Sequence, residues 1–148
     1  MATPPRTSET PMASHRQEIR VYFEDTDAAG IVYYANYLKF AERARTDMLR
    51  DLGISHADMM TRDGLVLVVR RCTIDYVKPA RLDDLLTIET DMAKLGGASV
   101  DLVQRVLRDG ELLVELTVQV VCTDRNRRPA RIPESVRSVF RRATRGSE

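Results

Sequence analysis

Alternating apolar and polar positions mark the first regular element of the chain. From about Glu18 onward, Ile19, Val21 and Phe23 alternate with more polar neighbours, which is the two-residue period of a strand with one buried face. An acidic loop over residues 25–30, which ends in a glycine, interrupts the pattern. We therefore expect a half-buried strand that leads directly into this loop.

The strongest helical pattern covers residues 36–52. Its apolar positions recur at three- and four-residue steps, at Tyr37, Phe40, Ala41, Ala44, Met48 and Leu52. Gly53 follows at the position where a left-handed residue commonly ends a helix. This spacing predicts an amphipathic helix of about four to five turns. Ser55, with Asp58 three residues later, predicts the start of a second, short helix.

From residue 65 onward the pattern becomes that of β-strands. Runs rich in Val, Ile and Leu cover residues 65–77, 85–93, 99–107 and 112–123. The dipeptides Gly96-Gly97 and Asp109-Gly110 separate the last three runs and favour tight turns. Consecutive strands with short turns predict an antiparallel meander, to which the first strand adds a fifth member. A short helix over residues 134–142 is expected after Pro133.

Together these elements predict an α+β fold, in which a five-stranded antiparallel sheet wraps one long helix. We expect one domain over residues 17–142. Residues 1–16 are rich in Pro, Ser and Thr and predict a disordered tail, and residues 143–148 predict a frayed one. Apolar sheet surface that faces away from the helix would stay bare in a monomer, so we expect a partner subunit to cover it.

Composition and charge exclude several classes of protein. Hydrophobic residues make up 43% of the chain and the net charge is +1, which is typical of a globular protein and argues against a general nucleic-acid binder.

We expect no signal peptide and no membrane segment, and hence a cytoplasmic location. Cys72 and Cys122 lie in apolar runs without metal-ligand spacing, so we expect two buried thiols and no metal site.

Three carboxylates precede the long helix, at Glu24, Asp25 and Asp27, and suggest chemistry at its start. A helix N-terminus carries partial positive charge and free N–H groups, so it can polarise a carbonyl while a nearby carboxylate attacks or activates water. The same order is also typical of helix capping, in which Asp25, Thr26 and Asp27 would only stabilise the helix. Spacing alone leaves both interpretations open.

The run from Tyr22 to Tyr37 closely resembles a motif of the 4-hydroxybenzoyl-CoA thioesterase family of hotdog-fold enzymes. Within that family it is most similar to the YbgC-type acyl-CoA thioesterases of the Tol-Pal gene cluster. The resemblance continues through residues 40–45, 68–70, 74–76 and 79–84, and covers roughly residues 18–135. It implies a hotdog fold, assembled as a homodimer or homotetramer, that hydrolyses acyl-CoA to a free acid and coenzyme A.

The resemblance also implies roles for single residues. Asp27 corresponds to the catalytic carboxylate, and the polarising backbone N–H belongs to Tyr34. Gly30 would permit a tight turn and a close approach of the substrate. Relatives often carry histidine where this chain has Tyr34, but the backbone donor survives the change. Whether Asp27 attacks the carbonyl or acts as general base stays open. We expect no cofactor, because coenzyme A is part of the substrate.

The remaining candidates concern substrate binding. Tyr33 and its neighbouring tyrosines either line an acyl pocket or pack in the core. Four arginines suit the phosphates of coenzyme A or form a solvated basic surface, namely Arg70, Arg71, Arg127 and Arg128. Because Arg70 and Arg71 are consecutive in a strand, we expect them to point to opposite faces. The basic segment 125–131 would also suit an acidic acyl-carrier protein.

Two other functions remain compatible with the sequence. One is a non-catalytic module that binds acyl-CoA or acyl-carrier protein on the same fold, and the other is a thioesterase that acts on acyl-carrier protein. Histidine chemistry is not expected, because His15 falls in the predicted tail and His56 follows the Ser55 cap. No histidine lies in the acidic loop or the long helix.

Overall fold

The computed structural model describes residues 15–144, which form one five-stranded antiparallel sheet and a long helix packed on it. The helices are α1 (Asn36–Asp51), α2 (His56–Asp58), which continues as a π-helical turn (Met59–Asp63), and α3 (Glu134–Ala143). The strands are β1 (His15–Arg20), β2 (Val66–Tyr76), β3 (Leu85–Leu95), β4 (Ser99–Arg108) and β5 (Glu111–Thr123). The predicted α+β architecture and the five antiparallel strands are confirmed.

The strand order in the sheet is β1-β3-β4-β5-β2. The prediction of a four-strand meander is therefore wrong for β2, which pairs with β5 rather than β3. The segment 77–84 carries the chain from β2, at one edge of the sheet, to β3, which lies next to the opposite edge strand β1. Val77 N–H donates to Leu113 O at 2.8 Å, and Val21 N–H donates to Asp84 O at 2.9 Å. These bonds fix each end of the crossover.

Helix α1 buries the face that its sequence pattern predicts. Its buried residues are Tyr37, Phe40, Ala41, Ala44, Met48 and Leu49. Ala41 and Ala44 are fully buried, and their small side chains let the helix lie close to the sheet. Gly53 has a φ of +83°, and Ile54 N–H donates to Leu49 O at 2.9 Å, so the helix ends at the expected glycine.

Strand β1 is displaced relative to its prediction. It begins at His15, whose Nε2 lies 2.8 Å from Asp51 Oδ2, so His15 belongs to the folded part rather than to a tail. It ends at Arg20, because Tyr22 N–H bonds to Asp25 Oδ2 at 2.8 Å and starts a 3₁₀ turn instead. Phe23 is consequently 81% exposed. The rest of the predicted N-terminal tail, residues 1–14, lies outside the described residues.

The other chain end also differs slightly from its prediction. Helix α3 continues to Ala143, and Thr144 Oγ1 donates to Phe140 O at 2.6 Å, so both residues belong to the fold. The remaining residues of the predicted frayed tail, 145–148, lie outside the described part of the chain.

Strand β2 forms an edge of the sheet and exposes most of its side chains. Cys72 is exposed for this reason, so the expectation of a buried thiol is wrong there, whereas Cys122 is buried as expected. Val69, an apolar residue of the same edge strand, is also 47% exposed. A β-bulge between Val69 and Arg71 also breaks the strict alternation from which opposite faces for Arg70 and Arg71 were inferred.

Candidate functional site

Asp27 opens a tight loop that precedes helix α1. A β-bridge joins Thr26 to Val32 across the base of the loop, and Asp27 N–H donates to Ile31 O at 2.9 Å. Gly30 N–H closes the turn by donating to Asp27 O at 3.0 Å, with a φ of +80° at the glycine. This left-handed conformation explains why glycine stands at position 30.

The Asp27 carboxylate is exposed to solvent. Its Oδ1 accepts a hydrogen bond from Ala29 N–H at 2.8 Å. Among residues 15–144, no donor bonds to the other oxygen, Oδ2. The bond to Ala29 fixes the carboxylate group while one oxygen stays open for chemistry.

Helix α1 begins after Ala35, which occupies the N-cap position without a side-chain hydrogen bond to the helix. The interpretation of the acidic loop as a cap for this helix is therefore wrong. Asp25 is structural: its backbone oxygen accepts bonds from Tyr33 N–H and from Asn36 Nδ2, both at 2.9 Å. These bonds tie the helix start to the loop that carries Asp27.

Tyr34 lies directly before this helix start. Within the described part of the chain, its backbone N–H donates to no protein acceptor. Its carbonyl accepts a hydrogen bond from the Tyr76 hydroxyl at 3.1 Å, so strand β2 restrains the main chain at this point. Tyr34 as a whole is 62% exposed. A backbone donor with no acceptor among the described residues therefore lies beside a loop that presents an exposed carboxylate.

The tyrosines divide between surface and core. The ring centroids of Tyr33 and Tyr34 are 5.0 Å apart, and those of Tyr34 and Tyr76 are 6.2 Å apart in an edge contact. Tyr37 is buried, and its hydroxyl oxygen accepts a bond from Ala80 N–H at 3.1 Å. Burial raises the pKa of Tyr37 and that of Tyr76. Both phenols thus stay protonated at neutral pH.

The predicted arginines lie at some distance from the loop in the same chain. Arg70 and Arg71 are exposed in the middle of β2, where Arg70 Nη1 donates to Gln119 Oε1 at 3.2 Å. Arg127 and Arg128 are exposed in the turn after β5. Hydrogen bonds from the Arg128 and Asn126 N–H groups lower the pKa of Asp124, which organises this turn.

Strand pairing sets the distance between these groups. Val66 pairs with Thr123, so the turn after β5 lies at the start of β2, whereas Tyr76 and its contact Tyr34 lie at the end. Ten residue steps along a strand span about 33 Å. One chain therefore does not bring Arg127 and Arg128 together with Asp27 and Tyr34.

Two features of this region were not found from the sequence. Nothing in the sequence indicates that the Tyr76 hydroxyl reaches the Tyr34 carbonyl, because the two residues are 42 positions apart. Arg45 lines a cavity beside α1 and bonds to Gln104, a fully buried polar residue of β4. A polar residue at an inward position of a strand was the available signal for the second feature.

Over residues 15–144, no three His, Cys, Asp or Glu side chains come together in an arrangement that would hold a metal ion. No helix in that range is long and apolar enough to cross a bilayer.

Comparison with known proteins places this chain in a family. The family model described as "Thioesterase-like superfamily" matches residues 21–140. The chain is 42% identical to the acyl-CoA thioesterase YbgC of Haemophilus influenzae over 123 residues, which cover 82% of this chain and 90% of the relative. It is 43% identical to the acyl-CoA thioester hydrolase YbgC of Escherichia coli O6:H1, covering 85% and 95%. A probable thioesterase from Bartonella henselae superposes with a TM-score of 0.78 at 38% identity, covering 82% of this chain and all of that one.

Proposed function

Because the chain belongs to the thioesterase-like superfamily, we propose that it hydrolyses acyl-CoA thioesters to a free acid and coenzyme A. One observation carries the proposal: the exposed Asp27 carboxylate, with one open oxygen, lies in a loop tied to a helix start where the Tyr34 N–H is open. The names of the similar proteins from Haemophilus influenzae and Escherichia coli support the same substrate class.

In the proposed reaction, the thioester carbonyl accepts a hydrogen bond from Tyr34 N–H. This bond and the partial positive charge at the start of α1 stabilise the negative charge that develops on the oxygen. Asp27 then either attacks the carbonyl carbon to form a mixed anhydride, which water hydrolyses, or removes a proton from an attacking water. In both cases the C–S bond breaks and coenzyme A leaves as a thiol. The proposal requires neither metal nor cofactor.

The role proposed for residue 34 uses its backbone rather than its side chain. The Tyr34 ring is largely exposed, whereas its carbonyl is held by the Tyr76 hydroxyl. A change of side chain from histidine to tyrosine would leave the backbone donor in place. We therefore expect activity without an imidazole.

We further propose that two copies pair along β2. This strand is an edge of the sheet, and it exposes Val68 and Val69, at 43% and 47%. An exposed apolar edge strand tends to pair with another chain. Antiparallel pairing about a two-fold axis would continue the sheet and cover both valines. Homodimer and homotetramer are both compatible with this pairing.

Such a dimer would bring the separated site residues together. In an antiparallel pair, the start of one β2 lies beside the end of the other. The partner subunit's Arg127 and the partner subunit's Arg128 would then approach the Tyr76 end, where Asp27 and Tyr34 lie. Arginines there would suit the phosphates of coenzyme A. Arg70 and Arg71, in the middle of β2, would lie near the two-fold axis.

An acyl-carrier protein remains an alternative substrate carrier. The exposed arginines of the turn after β5 favour an acidic partner equally well. Turnover of acyl-CoA and of acyl-carrier protein should be compared in the wild-type protein and in the Arg127→Glu/Arg128→Glu variant. Loss confined to the carrier substrate would identify that partner, whereas equal insensitivity of both substrates would exclude docking at this turn.

The direct test is a hydrolysis assay with purified protein over short, long and aromatic acyl-CoA substrates. Saturable release of free thiol is expected for at least one class. Thermal stabilisation by acyl-CoA without any thiol release would instead show a binding module that lost the chemistry. The cytoplasmic location expected from the sequence stays a prediction.

A further inference from the structure

A cavity of about 350 Å³ lies between the second half of α1 and the sheet. Its volume falls in the range of about 300–1,000 Å³ that is usual for ligand pockets. Of the fourteen described residues that line it, ten are apolar, and the four polar ones are Glu42, Arg45, Thr46 and His56. The proposed reaction uses none of these four.

Arg45 is an unusual wall residue for such a cavity. It is half-buried, and its Nη1 donates to the neutral side chain of Gln104 at 2.9 Å. Among residues 15–144, no carboxylate lies within ion-pair distance of its guanidinium. Burial lowers the pKa of Arg45, although nearby Glu42 acts in the opposite direction. A partly desolvated cation without an ion-pair partner favours an anionic ligand.

Buried hydrogen bonds fix this guanidinium in place. Gln104 Nε2 donates to Thr90 Oγ1 and to Ala41 O, both at 3.0 Å, and both Gln104 and Thr90 are fully buried. The amide oxygen that holds Arg45 is therefore anchored to β3 and α1 at once. A cation positioned in advance loses less conformational entropy when a ligand binds.

We propose that this cavity binds a carboxylic acid with an aliphatic chain, and that Arg45 holds its carboxylate. The four N–H groups of Arg45 that Gln104 does not use can bind a carboxylate in bidentate geometry. The chain of the acid covers the apolar wall. Glu42 has the same negative charge as the carboxylate of the ligand, but Glu42 is exposed to water, which screens the repulsion between the two groups.

The cavity is separate from the proposed catalytic groups of the same chain. Arg45 follows Tyr34 by eleven residues, which corresponds to about 16 Å along a helix axis. The ligand is a free acid rather than a thioester, so its binding can be measured without turnover. A failure of the thioesterase proposal would leave this test interpretable.

The experiment compares octanoate with 1-octanol, which share a chain and differ in the charged group. Isothermal titration calorimetry of the wild-type protein should show octanoate binding about ten-fold or more tightly than the alcohol, as expected for hydrogen bonds to a charged group. In Arg45→Gln this preference should disappear, while the weak binding of the alcohol is kept. In Glu42→Gln, octanoate binding should stay the same or become tighter.

Leu67→Phe, which fills part of the cavity, keeps the proposal testable if Arg45→Gln fails to fold. It should weaken the binding of both ligands. Equal affinity for acid and alcohol in the wild-type protein would overturn the role of Arg45. Undiminished binding of octanoate to Leu67→Phe would show that the acid does not bind in this cavity.

Discussion

Asp27 and Ala29 form the contact that shapes the candidate site: Asp27 Oδ1 accepts a hydrogen bond from Ala29 N–H at 2.8 Å. The bond lies within one turn, so it orients the carboxylate without reference to the rest of the fold. Only this one carboxylate oxygen accepts a hydrogen bond from the described residues, so Oδ2 of the exposed Asp27 stays available to react. The loop positions this carboxylate while contacts of Asp25 position the helix start.

Tyr76→Phe tests whether the bond to the Tyr34 carbonyl positions the polarising N–H. The substitution keeps the ring contacts and removes one neutral hydrogen bond, which is worth about 0.5–1.5 kcal/mol. We expect kcat to fall about three- to ten-fold with little change in KM. Tyr22→Phe removes a hydroxyl from another exposed tyrosine of the same region and should leave kcat unchanged. Equal kcat in both variants and the wild type would show that the Tyr76 hydroxyl does not position the Tyr34 N–H for catalysis.

Mixed dimers test whether two subunits build one site. Asp27→Ala and Arg127→Glu/Arg128→Glu should each lose most kcat/KM as homodimers. In an equal mixture, half of the dimers are mixed, and one of the two sites in each mixed dimer is intact, so about a quarter of wild-type activity should return. If Asp27 and both arginines acted within one chain, no combination would restore a complete site. Activity that stays at the level of the inactive parents would therefore contradict the composite site.

The local parts of this structure could be predicted from the sequence, and the non-local parts could not. The face of α1 with Tyr37, Phe40 and Ala44 follows from a three- and four-residue period that any helix must obey. The pairing of β2 with β5 does not follow, because turn signals report only on strands that are adjacent in sequence. The exposure of Cys72 was missed for the same reason, since an apolar run does not reveal an edge strand.

In the candidate site, too, the local features could be predicted from the sequence and the non-local contacts could not. Asp27 could be proposed from an acidic loop before a helix and from the resemblance of the motif. The contact of Tyr76 with Tyr34 joins the end of β2 to the start of α1, 42 positions apart in the sequence, and no spacing rule predicts it. The end of β1 at Arg20 was missed because a side-chain bond of Asp25 to Tyr22 N–H outweighed the alternating pattern.

Tyr37→Phe tests the packing at the base of α1. The variant removes the acceptor of the buried Ala80 N–H, and an unsatisfied buried donor costs about 1–3 kcal/mol. We expect a lower free energy of unfolding in urea with kcat nearly unchanged. An unaltered unfolding midpoint would show that this N–H finds another partner.

The lowered pKa of Asp84 predicts that the protein loses stability in acid. Partial burial by itself raises its pKa, but hydrogen bonds from Arg81 N–H and Arg108 outweigh this effect and lower the pKa below the usual 3.8. A lowered folded-state pKa means that the contribution is complete at neutral pH and is lost as the pH falls below about 4. It amounts to less than about 1 kcal/mol, because the pair is partly exposed.

Asp84→Asn should therefore be less stable than the wild type at pH 7, and the difference should shrink as the pH falls below about 4. Thermal unfolding over this pH range measures the effect. Asp83→Asn, at an exposed position with a φ of +72° that asparagine tolerates, is the matched control. A difference between Asp84→Asn and the wild type that does not vary with pH would rule out an ionic contribution from Asp84.

Asp27 is the residue on which the proposed chemistry depends most directly. The decisive measurement is the release of free thiol from acyl-CoA by the wild type, Asp27→Ala and Asp27→Asn, with thermal unfolding as the check on folding. We predict turnover by the wild type and a loss of at least about a hundred-fold in both variants, at unchanged melting temperature. Undiminished turnover in a folded Asp27→Ala protein would contradict it.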